Sequence, residues 1–131
     1  MTRILLIEDE ALNRTLVKAV LSRADSAEVR DAEVLDAGTL GAARDWLGTQ
    51  DIDLILLDMN LPDGNGLDLA RQLATEGVPG GRPKPAVVAV TASVLPQDRA
   101  AALEAGCDAF LDKPYAAADL VATVARYLGG S

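Results

Sequence analysis

Three carboxylates at the ends of apolar runs are the residues of this sequence best suited to chemistry. Glu8 and Asp9 follow the run Ile4–Ile7, and Asp58 follows the run Leu54–Leu57. Each run predicts a buried strand, and parallel neighbouring strands would bring the three acids to one edge of a sheet. Like charges about 4 Å apart repel by roughly 4 kcal/mol at an effective dielectric constant near 20. A cation or a proton must offset that repulsion, and hard oxygen ligands favour magnesium or calcium, which suits a carboxylate that accepts phosphate.

Apolar runs alternate with helical patterns along the chain, which predicts five strands and five helices. Apolar spacing in the first helix places Leu12, Leu16, Val20 and Leu21 on one face. The polar stretch 22–31 is left without an assignment. The Pro- and Gly-rich stretches 60–66 and 77–85 are predicted to be loops. The predicted strands lie near residues 4–7, 33–37, 52–57, 86–90 and 109–111.

The alternation of strands and helices predicts one α/β domain over residues 1–131, with a parallel sheet covered on both faces. The first, third and fourth strands are the most apolar and are expected at the centre. This predicts a doubly wound sheet of order 2-1-3-4-5, with a ligand site at the carboxyl ends of strands one and three. Thr39 is expected to cap the second helix, while Pro96 and Gly106 are expected to mark the start and end of the fourth.

Composition excludes several classes of function for this segment. The net charge of −8 argues against a nucleic-acid surface. No apolar run approaches the ~20 residues that span a bilayer, and the first residues lack the apolar core of a secretory signal. A single cysteine cannot form an internal disulfide, so a cytoplasmic location is the default expectation. Because the sequence has no histidine, it cannot supply phosphohistidine, a histidine-based triad or a histidine zinc site.

Four segments, in this order along the chain, together carry a family resemblance. They are LLIEDE, LILLDMNLPDGNG, VVAVTA and AFLDKP. With them, nearly the whole chain closely resembles the receiver domain of two-component response regulators, as a single-domain receiver like the chemotaxis regulators. The resemblance implies a flavodoxin-like fold and a phosphorelay function, in which a partner phosphohistidine donates the phosphoryl group.

The resemblance also implies which residues hold the phosphate and the metal. Asp58 matches the phosphoacceptor. The implied cofactor is Mg2+ or Mn2+, with Asp9 as a direct ligand and Glu8 as its partner. Asp58 itself and the backbone carbonyl of Asn60 complete the implied metal site. The implied activity is self-catalysed phosphorylation and slow hydrolysis of the aspartyl phosphate, rather than that of a metabolic enzyme.

Signal output is implied by residues near the ends of the last two strands. Thr91 matches the hydroxyl that bonds the phosphoryl group, and Lys113 matches the lysine that pairs with its oxygens. Thr91 and Phe110 match the switch positions, and a cis peptide is implied before Pro114. The implied partners are a histidine kinase or histidine phosphotransfer protein, and a downstream protein on the face of the fourth helix, fifth strand and fifth helix. A weak homodimer through that face is a further expectation.

Simpler interpretations remain open at this stage. Taken singly, Glu8 and Asp9 are ordinary first-turn acids, and Lys113 is a solvated lysine. An Asp-nucleophile hydrolase is a rival function, although such enzymes usually carry a second acid where this chain has Asn60. A degenerate receiver that serves as an interaction module is another, as is a receiver that forms part of a hybrid kinase. Asn60 and Ser93 lie where side chains influence phosphate lifetime in this family.

Overall fold

A computed structural model describes residues 2–92 and 95–128, so Ser93 and the last three residues lie outside the described part. Within it, no helix has the length and apolar character needed to cross a membrane. The elements in chain order are β1 (Arg3–Ile7), α1 (Ala11–Ser22), α2 (Ala27–Arg30), β2 (Glu33–Ala37), α3 (Leu40–Thr49), β3 (Leu54–Asp58), β4 (Asn60–Leu61), β5 (Gly64–Asn65), α4 (Gly66–Glu76), a short 3-10 turn (Pro79–Gly81), β6 (Ala86–Thr91), α5 (Pro96–Glu104), β7 (Ala109–Asp112) and α6 (Ala117–Leu128).

The main sheet has five parallel strands in the order β2-β1-β3-β6-β7. The predicted doubly wound α/β fold and the order 2-1-3-4-5 are therefore confirmed, with β6 and β7 as the fourth and fifth predicted strands. β3 is buried along its whole length, as expected for a central strand without polar residues before Asp58. The carboxyl ends of β1 and β3 lie side by side, with Ile7 in register with Leu57.

Alternate side chains of the strands face two separate apolar layers, as period-2 geometry requires. Leu5, Ile7, Ile55 and Leu57 pack with the buried faces of α3, α4 and α5. The intervening strand residues pack on the other side with α1, α2 and α6. Aliphatic burial on both faces therefore holds the strands rigidly, and their polar ends project from a packed core.

The helix count and two loop predictions were wrong in detail. The polar stretch 22–31 contains the additional helix α2, whose Val29 is 1% exposed and anchors it to the core. The stretch 77–85 contains the 3-10 turn, and the stretch 60–66 contains the small antiparallel hairpin β4–β5. These short elements lack the repeated apolar positions on which periodicity depends.

The predicted apolar face of α1 is also displaced. Val17 and Leu21 are its buried residues, whereas Leu12 is 65% and Leu16 54% exposed. Of the predicted apolar face, Leu21 is buried and Val20 packs partly against the core, whereas the residues nearer the start of the helix are exposed. Two large apolar side chains are thereby left on the surface.

Local capping agrees with the sequence. The Thr39 hydroxyl accepts a hydrogen bond from the Ala42 N–H at 3.1 Å, and Pro96 begins α5. Gly106 lies just beyond α5 with φ of +96°, a conformation that favours glycine. The predictions for these three positions are confirmed.

Gly66 packs unusually close to the end of β3. A Cβ atom on Gly66 would lie 2.2 Å from the Asp58 carbonyl oxygen, a distance that no side chain tolerates. The Gly66 N–H also donates a hydrogen bond to the Met59 carbonyl at 2.9 Å. The absence of a side chain at Gly66 therefore lets α4 begin directly behind the last residue of β3.

Gly66→Ala is expected to lower the free energy of unfolding by at least the ~1–3 kcal/mol typical of overpacking, because the clash is with backbone. Urea denaturation measures the change. Gly48→Ala is the matched control, since its Cβ would meet no atom within 4 Å inside α3. That control should gain roughly 0.5–1 kcal/mol from helix propensity. Equal stability of Gly66→Ala and wild type would contradict the packing described.

Candidate functional site

The structure brings Glu8, Asp9 and Asp58 to one edge of the sheet. Glu8 and Asp9 directly follow β1, and Asp58 is the last residue of β3. One carboxylate oxygen from each residue lies within 4.8 Å of the others. The convergence follows from the pairing of β1 with β3, because parallel strands end at the same edge.

Burial makes the mutual repulsion of these acids costly. Glu8 is 6% and Asp58 8% exposed, whereas Asp9 is exposed. The two buried carboxylates cannot be screened by water as fully as Asp9 can. The cluster therefore favours whatever positive charge can reach it.

Lys113 provides one positive charge from the other side of the site. Its Nζ lies 3.1 Å from Glu8 Oε2 and 3.3 Å from Asp58 Oδ2. Burial, the largest single influence, lowers the pKa of Lys113, but the hydrogen bond to Glu8 and the charges of Asp58 and Glu8 outweigh it and raise the pKa above 10.5. The ammonium group of Lys113 is therefore charged at neutral pH, and its contribution to stability is lost only as pH rises through the raised pKa.

Backbone contacts hold Lys113 in position. Its N–H donates to the Thr91 carbonyl at 2.7 Å, which ties the end of β7 to the end of β6. The peptide bond between Lys113 and Pro114 is cis, as the family resemblance implied. Thr91 itself is 5% exposed and is in register with Asp112. Thr91 is thus the last residue of β6, and Lys113 directly follows the neighbouring strand β7.

The segment that carries Glu8 is held by Arg14, a residue that the sequence analysis did not single out. Arg14 Nη1 donates to the Glu8 carbonyl at 2.6 Å, and its Nε lies 3.7 Å from Asp36 Oδ2. The Glu8 N–H donates to the Ala37 carbonyl, and Glu8 Oε1 accepts from the Glu10 N–H. No motif signals Arg14 in advance, because its partner is a backbone carbonyl six residues away.

The loop after Asp58 is tied to the Asp58 side chain. Asp58 Oδ1 accepts a hydrogen bond from the Asn60 N–H at 3.1 Å, and Asn60 is exposed as the first residue of β4. Gly66 then returns the chain to the end of β3. Asn60 therefore lies next to the acid cluster. Gly66 also affects the geometry of the site, but the sequence analysis treated it only as part of a loop.

Phe110 is the second residue of β7. It is in register with Ala89 within the sheet, and it packs partly against the core layer formed by α3, α4 and α5. The Arg99 guanidinium carbon lies 4.7 Å from the centroid of its ring, and Arg99 also pairs with Asp112. Arg99 of α5 thus covers the ring of Phe110 in β7, a contact that sequence spacing did not indicate.

An apolar groove opens beside the acids, with a volume of about 610 Å³. Glu8 and Lys113 line one end, and exposed Leu16 lines the wall formed by α1. Tyr115 lines the groove as well, and its pKa is raised mainly because the phenol is partly buried. The groove therefore joins the charged centre to an apolar surface.

The donor set fits a hard divalent cation. Three carboxylates lie close enough to share one ion, all donors are oxygen, and a single lysine leaves the group with excess negative charge. Such ligands suit Mg2+ and, among transition metals, Mn2+. Sulfur and imidazole ligands are absent from the cluster, which argues against zinc.

Comparisons with known proteins agree on one family. The model of the response regulator receiver domain matches residues 4–125. The KDP operon transcriptional regulatory protein KdpE of Escherichia coli K12 is 37% identical over 123 residues, which are 93% of this chain and 49% of KdpE. The chain spans half the length or less of the first curated relatives it matches.

Two solved structures share the fold. The receiver domain of sensor histidine kinase PA1611 from Pseudomonas aeruginosa PAO1, with a magnesium ion coordinated in its active site cleft, is 31% identical, with a TM-score of 0.78 and 98% of both chains covered. A CheY-like response regulator receiver domain protein from Methanospirillum hungatei JF-1 is 26% identical, with a TM-score of 0.82 over 98% of this chain and 94% of that one.

Asp58→Asn is expected to stabilise the metal-free protein by about 1 kcal/mol, because it removes two close repulsions and only one ion pair. Urea denaturation in the presence of a chelator measures the change. Asp68→Asn is the control, because Asp68 lies in the first turn of α4 and contacts Arg71 outside the cluster. A loss of stability in Asp58→Asn would show that attraction to Lys113 outweighs the repulsion.

Proposed function

Because the chain belongs to the response regulator receiver domain family of two-component systems, we propose that Asp58 accepts a phosphoryl group from a phosphohistidine on a partner protein. The observation that carries the proposal is the convergence of three acids and one lysine on a single edge of the sheet. We further propose that residues 1–131 act as one receiver domain located in the cytoplasm.

Mg2+, or Mn2+ in its place, is the proposed cofactor. Glu8, Asp9 and Asp58 would hold it, with the Asn60 backbone carbonyl as a further ligand. When bound, the ion neutralises charge on the acids and on the phosphoryl oxygens. The magnesium ion in the PA1611 receiver supports this choice of cofactor. The acids supply hard oxygen donors, and the ion would neutralise their excess negative charge.

Phosphorylation would proceed by attack of an Asp58 carboxylate oxygen on phosphorus. A P–O bond forms to Asp58 while the P–N bond of phosphohistidine breaks, and its electron pair remains on the imidazole nitrogen, which then takes a proton. Lys113, already 3.3 Å from Asp58 Oδ2, would follow the phosphoryl oxygens and offset their charge. Slow attack by water at the same phosphorus would release inorganic phosphate and restore the carboxylate. A slow cycle of this kind suits a signal better than metabolic turnover.

The phosphodonor is proposed to be a histidine kinase or a histidine phosphotransfer protein. The donor histidine cannot come from these 131 residues, because they contain none. The groove, which is lined by Glu8, Lys113 and exposed Leu16, offers an apolar surface that begins at two residues of the charged site. A protein partner can bury such a surface, whereas a small phosphodonor cannot.

The output is proposed to pass through Thr91 and Phe110. The Thr91 hydroxyl would bond the phosphoryl group, and Phe110 would then change its packing against α5. The resulting change in the α5–β7–α6 face would alter binding of a downstream protein, or of a second copy in a weak homodimer. The contact of the Arg99 guanidinium with the Phe110 ring supports this route, because it joins β7 to α5, the helix that would move.

Treatment with acetyl phosphate and Mg2+ is expected to add the mass of one phosphoryl group to the intact protein. The gain should be absent in Asp58→Asn and retained in Asp68→Asn, and it should disappear with chelator. Intact-protein mass spectrometry makes the measurement. Phosphorylation of Asp58→Asn, or steady release of phosphate from small phosphoesters, would overturn the proposed function in favour of another acceptor or a hydrolase.

Phe110 is the single phenylalanine of the chain, so fluorophenylalanine labelling reports on this position alone. Beryllium fluoride with Mg2+ mimics an aspartyl phosphate and is expected to shift the one fluorine resonance in wild type. The same reagent should leave Asp58→Asn unchanged. An unmoved resonance in wild type, under conditions where the reagent stabilises the protein against heat, would contradict the switch role of Phe110.

A further inference from the structure

Asp63 lies at the tip of the β4–β5 hairpin, away from the acid cluster. Pro62 and Asp63 are the two residues between the paired segments Asn60–Leu61 and Gly64–Asn65. The Asp63 carboxylate does not point at the cluster. Its Oδ1 accepts from the Leu40 N–H at 2.8 Å, and its Oδ2 accepts from the Gly41 N–H at 3.1 Å.

These two bonds complete the hydrogen bonding at the start of α3. The first four N–H groups of a helix have no partner within the helix. The Thr39 hydroxyl accepts from the Ala42 N–H, and the Leu40 and Gly41 N–H groups donate to Asp63; the helix's own first bond runs from the Ala43 N–H to the Thr39 carbonyl. The same residue thus serves helix α3 and the hairpin.

The hairpin needs such an anchor because it is too short to be stable alone. Each of its strands has two residues, and both are largely exposed. Its base is attached to the site, since the Asn60 N–H donates to Asp58 Oδ1. Leu61 packs partly against the core layer of α3, α4 and α5, and the tip itself is held by the two hydrogen bonds that Asp63 accepts from α3.

The start of α3 is itself connected to the other half of the acid cluster. The Glu8 N–H donates to the carbonyl of Ala37, the last residue of β2, and α3 begins three residues later. A continuous chain of contacts therefore runs from Glu8 through Ala37 and Leu40 to Asp63, and back through the hairpin to Asp58.

We propose that Asp63 is a positioning residue for the metal site, which acts by fixing the hairpin that carries Asn60. The inference rests on the proposed function, because it requires that the Asn60 carbonyl contributes to binding Mg2+. Loss of the Asp63 anchor would free the hairpin tip, and the Asn60 carbonyl would spend less time in a position to bind the ion. The three carboxylates would keep their places at the strand ends.

The charge state of Asp63 suits a permanent anchor. The hydrogen bonds from Leu40 and Gly41 hold the pKa of Asp63 below its ordinary value of 3.8. The carboxylate is therefore ionised at neutral pH. Its contribution to stability is present above the ordinary pKa and is lost only as pH falls through the lowered one.

The test compares Asp63→Ala with Thr39→Ala by calorimetric titration with Mg2+. Both variants remove a side-chain cap from the same helix, and each is expected to lower the urea midpoint of unfolding to a similar extent. Only Asp63→Ala should weaken Mg2+ binding, by about ten-fold, the lower end of effects seen for residues that support metal ligands. Asp63→Asn retains one acceptor oxygen and should bind with intermediate affinity.

The outcomes separate this inference from the proposed function. Wild-type protein that binds no Mg2+ would defeat the proposed function and the inference with it. If the wild-type protein binds Mg2+ and the two variants Asp63→Ala and Thr39→Ala bind it with equal affinity, the inference alone is defeated, because Asp63 is then only a helix cap. If Asp63→Ala is too unstable to titrate, Asp63→Asn decides between the same two results.

Discussion

Electrostatic repulsion among Glu8, Asp9 and Asp58 is the constraint to which the rest of the site responds. Their carboxylate oxygens lie within 4.8 Å of one another, and two of the three side chains are buried. The fold holds them together because each is attached to the end of a strand packed on both faces. A site of this kind stores unfavourable energy that binding of a cation releases.

Contacts from several elements keep that arrangement in place. Arg14 holds the backbone of Glu8, and Gly66 lets α4 start against the carbonyl of Asp58. Lys113 offsets part of the charge, since it lies near both Glu8 and Asp58. One lysine cannot neutralise three acids, so the site keeps its attraction for a divalent ion. The stability that the strand packing provides thus partly offsets the repulsion among the acids at this edge of the sheet.

Much of this could be predicted from the sequence because it depends on strong local patterns. The apolar runs before Glu8 and Asp58 are unambiguous strands, and their parallel order follows from the helices between them. The motif-bearing residues could be placed at one edge for the same reason. The extra helix at Val29 and the displaced apolar face of α1 were not predictable, because they depend on how each helix packs against the sheet and its neighbouring helices.

The supporting contacts were equally hidden from sequence reasoning. Arg14 bonds a carbonyl, Asp63 bonds two amides of a helix 22 and 23 residues away, and Arg99 covers the Phe110 ring. Each of these residue types is common on protein surfaces, and neither spacing nor composition distinguishes them. Only the folded backbone shows which groups lack a partner and which side chain supplies one.

The most direct measurement of the central claim is anomalous diffraction from crystals of the protein soaked in Mn2+. The account predicts one strong anomalous peak bound by the carboxylates of Asp9 and Asp58, with the Asn60 carbonyl directed at it. A crystal structure in which these two side chains lie apart, or a saturating soak that places manganese elsewhere, would contradict it.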